Sequence, residues 1–253
     1  MNLFQNIYLK ALKRRFYKSF RPIGITKRDN FLISPPHRIK DFFKVLPVLG
    51  GIRKLGNVIL LLPDTSAPYT KVFRPDYFQI VYWKEIPRVL TKEFESLKEE
   101  LKKFSFNWLI ELNPEANTAL PNLIDAEKRI TFYNKNVFPF YNILIKGGIE
   151  GLINFLQIPL VDPLTIFKFR KPELKPILKE LPPVQPRLFF NRTSDKPEKS
   201  GEVQWTGSIV YHDKDNTPIE VGLKKLYLCD AYLGPDDELC ELARIFKKEL
   251  ILV

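Results

Sequence analysis

The stretch Arg38–Pro63, RIKDFFKVLPVLGGIRKLGNVILLLP, decides how this chain is read. Ile39, Phe42, Phe43, Leu46 and Leu49 recur at helical spacing. Pro47 inside that run predicts a kink, because its ring clashes with the carbonyl four residues back. Gly56 then leads into Val58–Leu62, a continuous apolar run of the kind buried on both faces of a parallel sheet. Phe31–Ser34, just upstream, reads as a strand. Strand, helix and strand in this order place Asp41 near the helix start, past the exit of the first strand, where open α/β sheets handle ligands.

Outward from there the alternation continues. Phe78–Tyr82, Asn107–Leu112 and Arg129–Tyr133 read as strands. Thr91–Phe104 is an amphipathic helix with Phe94, Leu97, Leu101 and Phe104 on its apolar face. Ala116–Ile124 reads as a short helix and Asn142–Leu156 as a longer one. This rhythm predicts an α/β fold on a parallel sheet. It stops at a run of prolines from Pro159 to Pro186, read as a linker. Leu188–Phe190 and Ser208–Tyr211 are predicted strands, and YLCDAYLGPDDELCELARIFKKELILV closes the chain as strand, turn, helix and strand.

A hydrophobic content of 45% with 27% charged residues excludes a disordered chain. No apolar run approaches the roughly 18 residues of a spanning helix, and the first residues lack a signal-peptide pattern. Two cysteines give no metal or disulfide framework. A cytoplasmic protein, at most peripheral on the inner face of a membrane, is expected.

The net charge of +11 is concentrated. Residues 1–29 hold eight Lys and Arg against Asp29, which is +7 and leaves +4 for the rest. On a helical wheel Leu9, Leu12, Phe16 and Phe20 form a stripe with Lys10, Arg14, Lys18 and Arg21 roughly opposite. Two readings stand open. Residues 1–21 lie on an anionic membrane surface, or the helix docks on its own domain with a solvated basic face. No basic stripe continues into the body of the chain, which argues against nucleic acid as a partner.

The stretch around Asp41 resembles the signature of glycosyltransferase family 9, the heptosyltransferase-like enzymes. Arg38, Asp41, Leu46-Pro47 and Ile52-Arg53 stand in its register. The segment from Asn107 to Lys146 looks like the family's later strand–helix–strand unit. CDAYLGPDDELCELARIFKKELILV is similar to its C-terminal turn and helix, with Asp236 on the motif's aspartate. Lys40 replaces the signature glycine, Asp237-Glu238 stand where Ser-Gly is expected, and Cys240 stands for histidine.

The resemblance implies a GT-B fold of Rossmann-like domains: a basic arm over 1–29, a first domain over 30–158, a linker over 159–186 and a shortened second unit over 187–253. It implies inverting, metal-independent transfer from a nucleotide-sugar donor to a saccharide or lipopolysaccharide-type acceptor, with no cofactor. Asp41 would be the catalytic base. Arg38, Lys40, Gly234, Asp236 and Asp237 would contact substrates. From the residues alone, Asp41 reads first as a helix-start carboxylate interacting with the dipole, and only the resemblance puts the catalytic role on a level with it. Three carboxylates at residues 236–238 would repel a diphosphate. A non-catalytic member that binds glycan, nucleotide or a protein partner therefore stands as the alternative.

Overall fold

The computed structural model describes residues 3–13, 24–26, 28–169, 171–192, 205–213 and 216–252. They divide into two compact units, residues 1–67 with 75–162, and residues 68–74 with 163–253.

The first unit opens with helix α1 (Leu3–Lys13), then β1 (Asn30–Ser34), α2 (Ile39–Lys44), α3 (Leu46–Leu55) and β2 (Asn57–Pro63). The predicted kink is a complete break at Val45: Pro47, in the first turn of α3, can neither donate to the carbonyl of Phe43 nor tolerate it. Past a short turn of helix, α4 (Ala67–Thr70), whose residues from Pro68 belong to the second unit, the first unit resumes with β3 (Gln79–Trp83), α5 (Lys92–Leu101), β4 (Trp108–Glu111), β5 (Lys128–Phe132), β6 (Ile143–Ile145) and α6 (Gly148–Leu156). Thr91 caps α5 by accepting the backbone N–H of Phe94.

Two segments depart from the helices that their sequence predicts. Asn142–Leu156 is not one helix, because Ile143–Ile145 pairs with β5 and Gly147, in the left-handed region at φ 81°, ends that strand before α6. Ala116–Ile124 forms only a single 3₁₀ turn at Leu120–Asn122, which Pro121 starts but does not extend.

All six strands run parallel in the order β3-β2-β1-β4-β5-β6. The order reverses between β1 and β4, so the crevice at the carboxyl ends of these two strands is the ligand position of a doubly wound sheet. Leu32, Ile59, Leu61, Val81 and Leu109 face a core with α5 and the loops after β4. On one edge of this core lies α1, with Leu9 buried and Leu12 packed against it.

The second unit contains α7 (Lys171–Glu180), β7 (Arg187–Arg192), β8 (Ser208–Asp213), α8 (Ile219–Leu228), β9 (Ala231–Gly234), α9 (Glu238–Ile245) and β10 (Glu249–Leu252). Its four strands are again parallel, in the order β10-β9-β7-β8, with the reversal between β7 and β9. The segment Pro68–Arg74 joins this unit through Lys168 N–H to Val72 O at 2.7 Å and Arg74 N–H to Ile166 O at 2.8 Å. Phe167, Phe169, Tyr227 and Phe246 stack and edge against one another, fastening residues 163–169 onto α8 and the end of α9. Helix α8 was not foreseen in the sequence; Leu223 and Leu226 bury its inner face.

Candidate active site

At the switch point of the first sheet, β1 ends on Ser34 and β4 on Glu111, directly paired in register. Glu111 is 1% exposed, and a carboxylate there needs partners. Asn113 Nδ2 and Ser34 Oγ donate to its Oε1, and the Tyr141 hydroxyl lies 3.4 Å from Oε2. Burial pushes the Glu111 carboxyl up to about 8, against the lowering effect of these bonds. The Tyr141 phenol has one proton and donates it to the carbonyl of Asn117 at 2.9 Å. Its contact with Glu111 is therefore best satisfied when Glu111 is protonated and donates in turn. Burial likewise raises the Tyr141 phenol, with the neighbouring Glu111 adding to it.

Asn113 carries this network to the loop after β1. Its Nδ2 also donates to Pro35 O at 3.0 Å, and its Oδ1 accepts the backbone N–H of His37 at 3.0 Å. The His37 ring meets Trp83, the last residue of β3, edge to face at 5.1 Å. Burial lowers the His37 pKa, which favours the neutral imidazole. The loop so held enters α2. Arg38 occupies the N-cap position with an exposed side chain, and its carbonyl accepts the N–H of Phe42. Lys40 is half-buried. Asp41 stands in the first turn of α2, partly exposed, and pairs with Lys44 at 3.0 Å.

The second sheet has its own cluster at the β7–β9 switch point. Asp237 is the N-cap of α9, its Oδ1 accepting the N–H groups of Leu239 and Cys240. Asn191, near the end of β7, donates to Asp237 Oδ2 at 2.9 Å, and the Tyr232 hydroxyl lies 3.1 Å from Oδ1. Asp236 pairs with Arg244 at 3.0 Å, and Glu238 accepts from the Tyr69 hydroxyl at 3.0 Å. Burial raises both phenols, Tyr69 and Tyr232, and the nearby carboxylates add to it. Gly234 is buried where an added Cβ would come 2.8 Å from the Tyr232 hydroxyl and 2.9 Å from Asn191 Cβ. Glycine at this position is what lets the two side chains close over the turn.

Against solved structures, a family 9 glycosyl transferase from Veillonella parvula DSM 2008 superposes with TM-score 0.66 at 11% identity, over 90% of this chain and 81% of that one. The fold is that of the family 9 glycosyltransferases. The E. coli ADP-heptose lps heptosyltransferase II gives TM-score 0.62 at 12% identity, over 88% and 84% of the two chains. An E. coli heptosyltransferase with ADP-2-deoxy-2-fluoro heptose gives 0.56 at 10% identity, over 88% of each chain. No protein-family model matches the sequence, and no curated protein sequence matches it.

Within the family 9 fold, the predicted residues fall into two groups. Arg38, Lys40 and Asp41 lie together on the loop and first turn after β1. Gly234 closes β9, and Asp236 and Asp237 lie on the turn after it, where Asp237 is engaged by a helix cap and two side chains. Glu111, Asn113, Asn191 and Tyr232 were not singled out from the sequence. A charged or amide residue closing an otherwise apolar strand, as in WLIE and LFFN, was the available signal.

His212 is fully buried in β8, its ring 5.3 Å from that of Phe189. Burial raises the thiols of Cys229 and Cys240 to about 12 and about 11, which keeps both protonated. Among the described residues no group of three or more His, Cys, Asp or Glu is gathered closely enough to hold a metal ion.

Proposed function

We propose that this protein is a glycosyltransferase of the inverting, metal-independent type, moving a sugar from a nucleotide donor to a saccharide or lipopolysaccharide-type acceptor. The observation that carries this reading is the position of Asp41. It sits in the first turn of α2, one loop beyond the switch point, on a loop that Glu111 and Asn113 hold from below. There a carboxylate can accept the proton of an acceptor hydroxyl as that oxygen attacks the anomeric carbon. The new glycosidic bond forms as the bond to the nucleotide diphosphate breaks, and the diphosphate leaves with the electron pair. Arg38 is suited to an acceptor phosphate or carboxylate through its fork.

A second reading, a non-catalytic binding protein on the same fold, draws on the other switch point. Asp237 already takes the N–H groups of α9 that would otherwise meet a phosphate, and Asp236 and Glu238 add charge of the wrong sign.

Titration calorimetry with ADP, UDP and their sugar conjugates separates the two. ADP is the first probe, since the similar E. coli structures are named for ADP-heptose and for an ADP-sugar analogue. Transfer requires donor binding and release of the nucleoside diphosphate in the presence of acceptor. Heat of binding with no diphosphate released assigns the protein to the binding class.

A further inference from the structure

Helix α1 is apolar on two faces, and only one is covered. Gln5, Leu9 and Leu12 turn inward: Gln5 Nε2 donates to the carbonyl of Val89 at 3.0 Å, Leu9 is buried, and Leu12 packs on the same core. Of the two readings open for the stripe of Leu9 and Leu12, these contacts match docking on the chain's own domain; Phe16 and Phe20 lie outside the described residues. On another face Phe4 is 77% exposed, Ile7 55% and Tyr8 42%. A helix with an apolar face left in water calls for something to cover it.

The adjoining loop shows the same property. Leu90, next to the carbonyl that Gln5 holds, is 54% exposed and sits at φ 64°, in the left-handed region that a large side chain rarely adopts. Around these side chains the charge is positive. Lys10 is exposed on α1, and Lys84, Arg88 and Lys92 are exposed beside Glu85 and Glu93 in the loop and helix start around Leu90. The sequence adds Lys13, Arg14, Arg15, Lys18 and Arg21 with no acidic residue before Asp29. Exposed aromatic and aliphatic side chains on segments where Lys and Arg outnumber acidic residues are complementary to a lipid interface with anionic headgroups.

We propose that Phe4, Ile7 and Tyr8 of α1, together with Leu90, form a membrane-docking surface that inserts among anionic lipid headgroups. Asn117, in the loop after β4, donates to Pro87 O at 2.9 Å, so this surface belongs to the loops leaving the carboxyl edge of the first sheet. Docking there brings the edge that carries His37 and Asp41 toward the lipid surface.

The test uses the full chain and vesicles of phosphatidylglycerol and phosphatidylcholine in equal parts. The wild type sediments with them, sediments far less with phosphatidylcholine alone, and is released by salt, since the attraction is screened over about 8 Å at physiological ionic strength. Phe4→Ser/Ile7→Ser, altering two exposed side chains, keeps the wild-type melting temperature and lowers partitioning by roughly tenfold. Phe4→Trp gives a blue-shifted emission on adding the anionic vesicles. A wild type that stays in the supernatant overturns the proposal, as does a double variant that sediments equally. A solution dimer that the double variant converts to monomer assigns the face to a second copy instead. None of these readouts involves sugar transfer, so they stand or fall apart from the catalytic reading.

Discussion

Asn113 ties the buried carboxyl of Glu111 to the backbone of His37: one end of its amide donates to Glu111 Oε1, and the other accepts the His37 N–H at 3.0 Å. Two residues after Glu111 in the chain, it is close enough for its side chain to reach across to the loop after β1. The catalytic proposal depends on that loop, which has two prolines and is followed by α2. Under that proposal Glu111 and Asn113 are positioning residues, acting on Asp41 through the backbone from Pro35 to His37 that Asn113 holds.

Glu111 sets a pH dependence of stability. Its folded carboxyl titrates at about 8, against an ordinary value of 4.5. Between these values the folded chain holds a proton that the unfolded chain has released. The contribution of the protonated group is therefore complete below about pH 4.5 and is lost as pH rises toward 8. Glu111→Gln stays neutral throughout. The stability of the variant relative to wild type should climb from acidic pH to pH 8, by on the order of 1–4 kcal/mol, as read from denaturant unfolding at each pH. His37, whose pKa is lowered by burial, works in the opposite direction but is common to both proteins and cancels in the difference. A flat difference would place the proton elsewhere.

Asp41→Asn separates chemistry from stability. Its ion pair with Lys44 is exposed on both sides, with 41% and 49% of the side chains accessible, so the pair is worth little. The variant should melt within about 0.5 kcal/mol of wild type while transfer falls roughly 10²–10⁴-fold. Undiminished transfer would move the base to another residue, with the neutral His37 the nearest alternative.

Gly51 fixes where α3 lies. A Cβ added there would come 2.2 Å from the carbonyl oxygen of Pro159 and 2.4 Å from Ile158 Cγ2, and the nearest of these atoms is backbone that cannot rotate away. Alanine gains up to about 1 kcal/mol in helix propensity but forces α3 off this segment. The expected net result is a loss of about 2–4 kcal/mol by denaturant unfolding. Gly50→Ala, whose nearest contacts are the Tyr77 hydroxyl and Val161 Cβ at 3.2 Å, should cost less.

Elements whose signal is local are legible in the sequence. Phe31–Ile33 and Val58–Leu62 are apolar enough to read as buried parallel strands, and Pro47 announces the break before α3. Elements that are short, or that only tertiary pairing defines, are not. Ile143–Ile145 is three residues long, and pairing with β5 makes it a strand. The candidate site was legible only in part. Asp41 and Arg38 stand in a recognisable spacing, whereas Glu111 acquires its character from Ser34, 77 residues away, and from Tyr141, 30 residues away. Likewise Asp237 reads as one of three adjacent carboxylates until Asn191 and Tyr232 are seen to converge on it.

That convergence gives the last prediction. Asp237 caps two N–H groups of α9 and accepts from the Asn191 amide, and the Oδ1 of Asn191 has no hydrogen-bond partner among the described residues. Asp237→Ala removes the cap and leaves the Asn191 amide only its bond to the Tyr232 hydroxyl at 3.1 Å, so the second unit should lose about 1–3 kcal/mol. Asp237→Ser keeps a short acceptor for the helix start and should recover about 1 kcal/mol of that loss. The serine variant also removes one negative charge from the turn after β9. If this turn meets the diphosphate of a donor, calorimetry should show Asp237→Ser binding ADP more tightly than wild type, with the gain shrinking as salt is added. Cys240→His, the other change toward the resemblance, should not help, because Cys240 is fully buried and an imidazole overfills its site. An ADP affinity untouched by Asp237→Ser would detach this turn from donor binding and favour the non-catalytic reading.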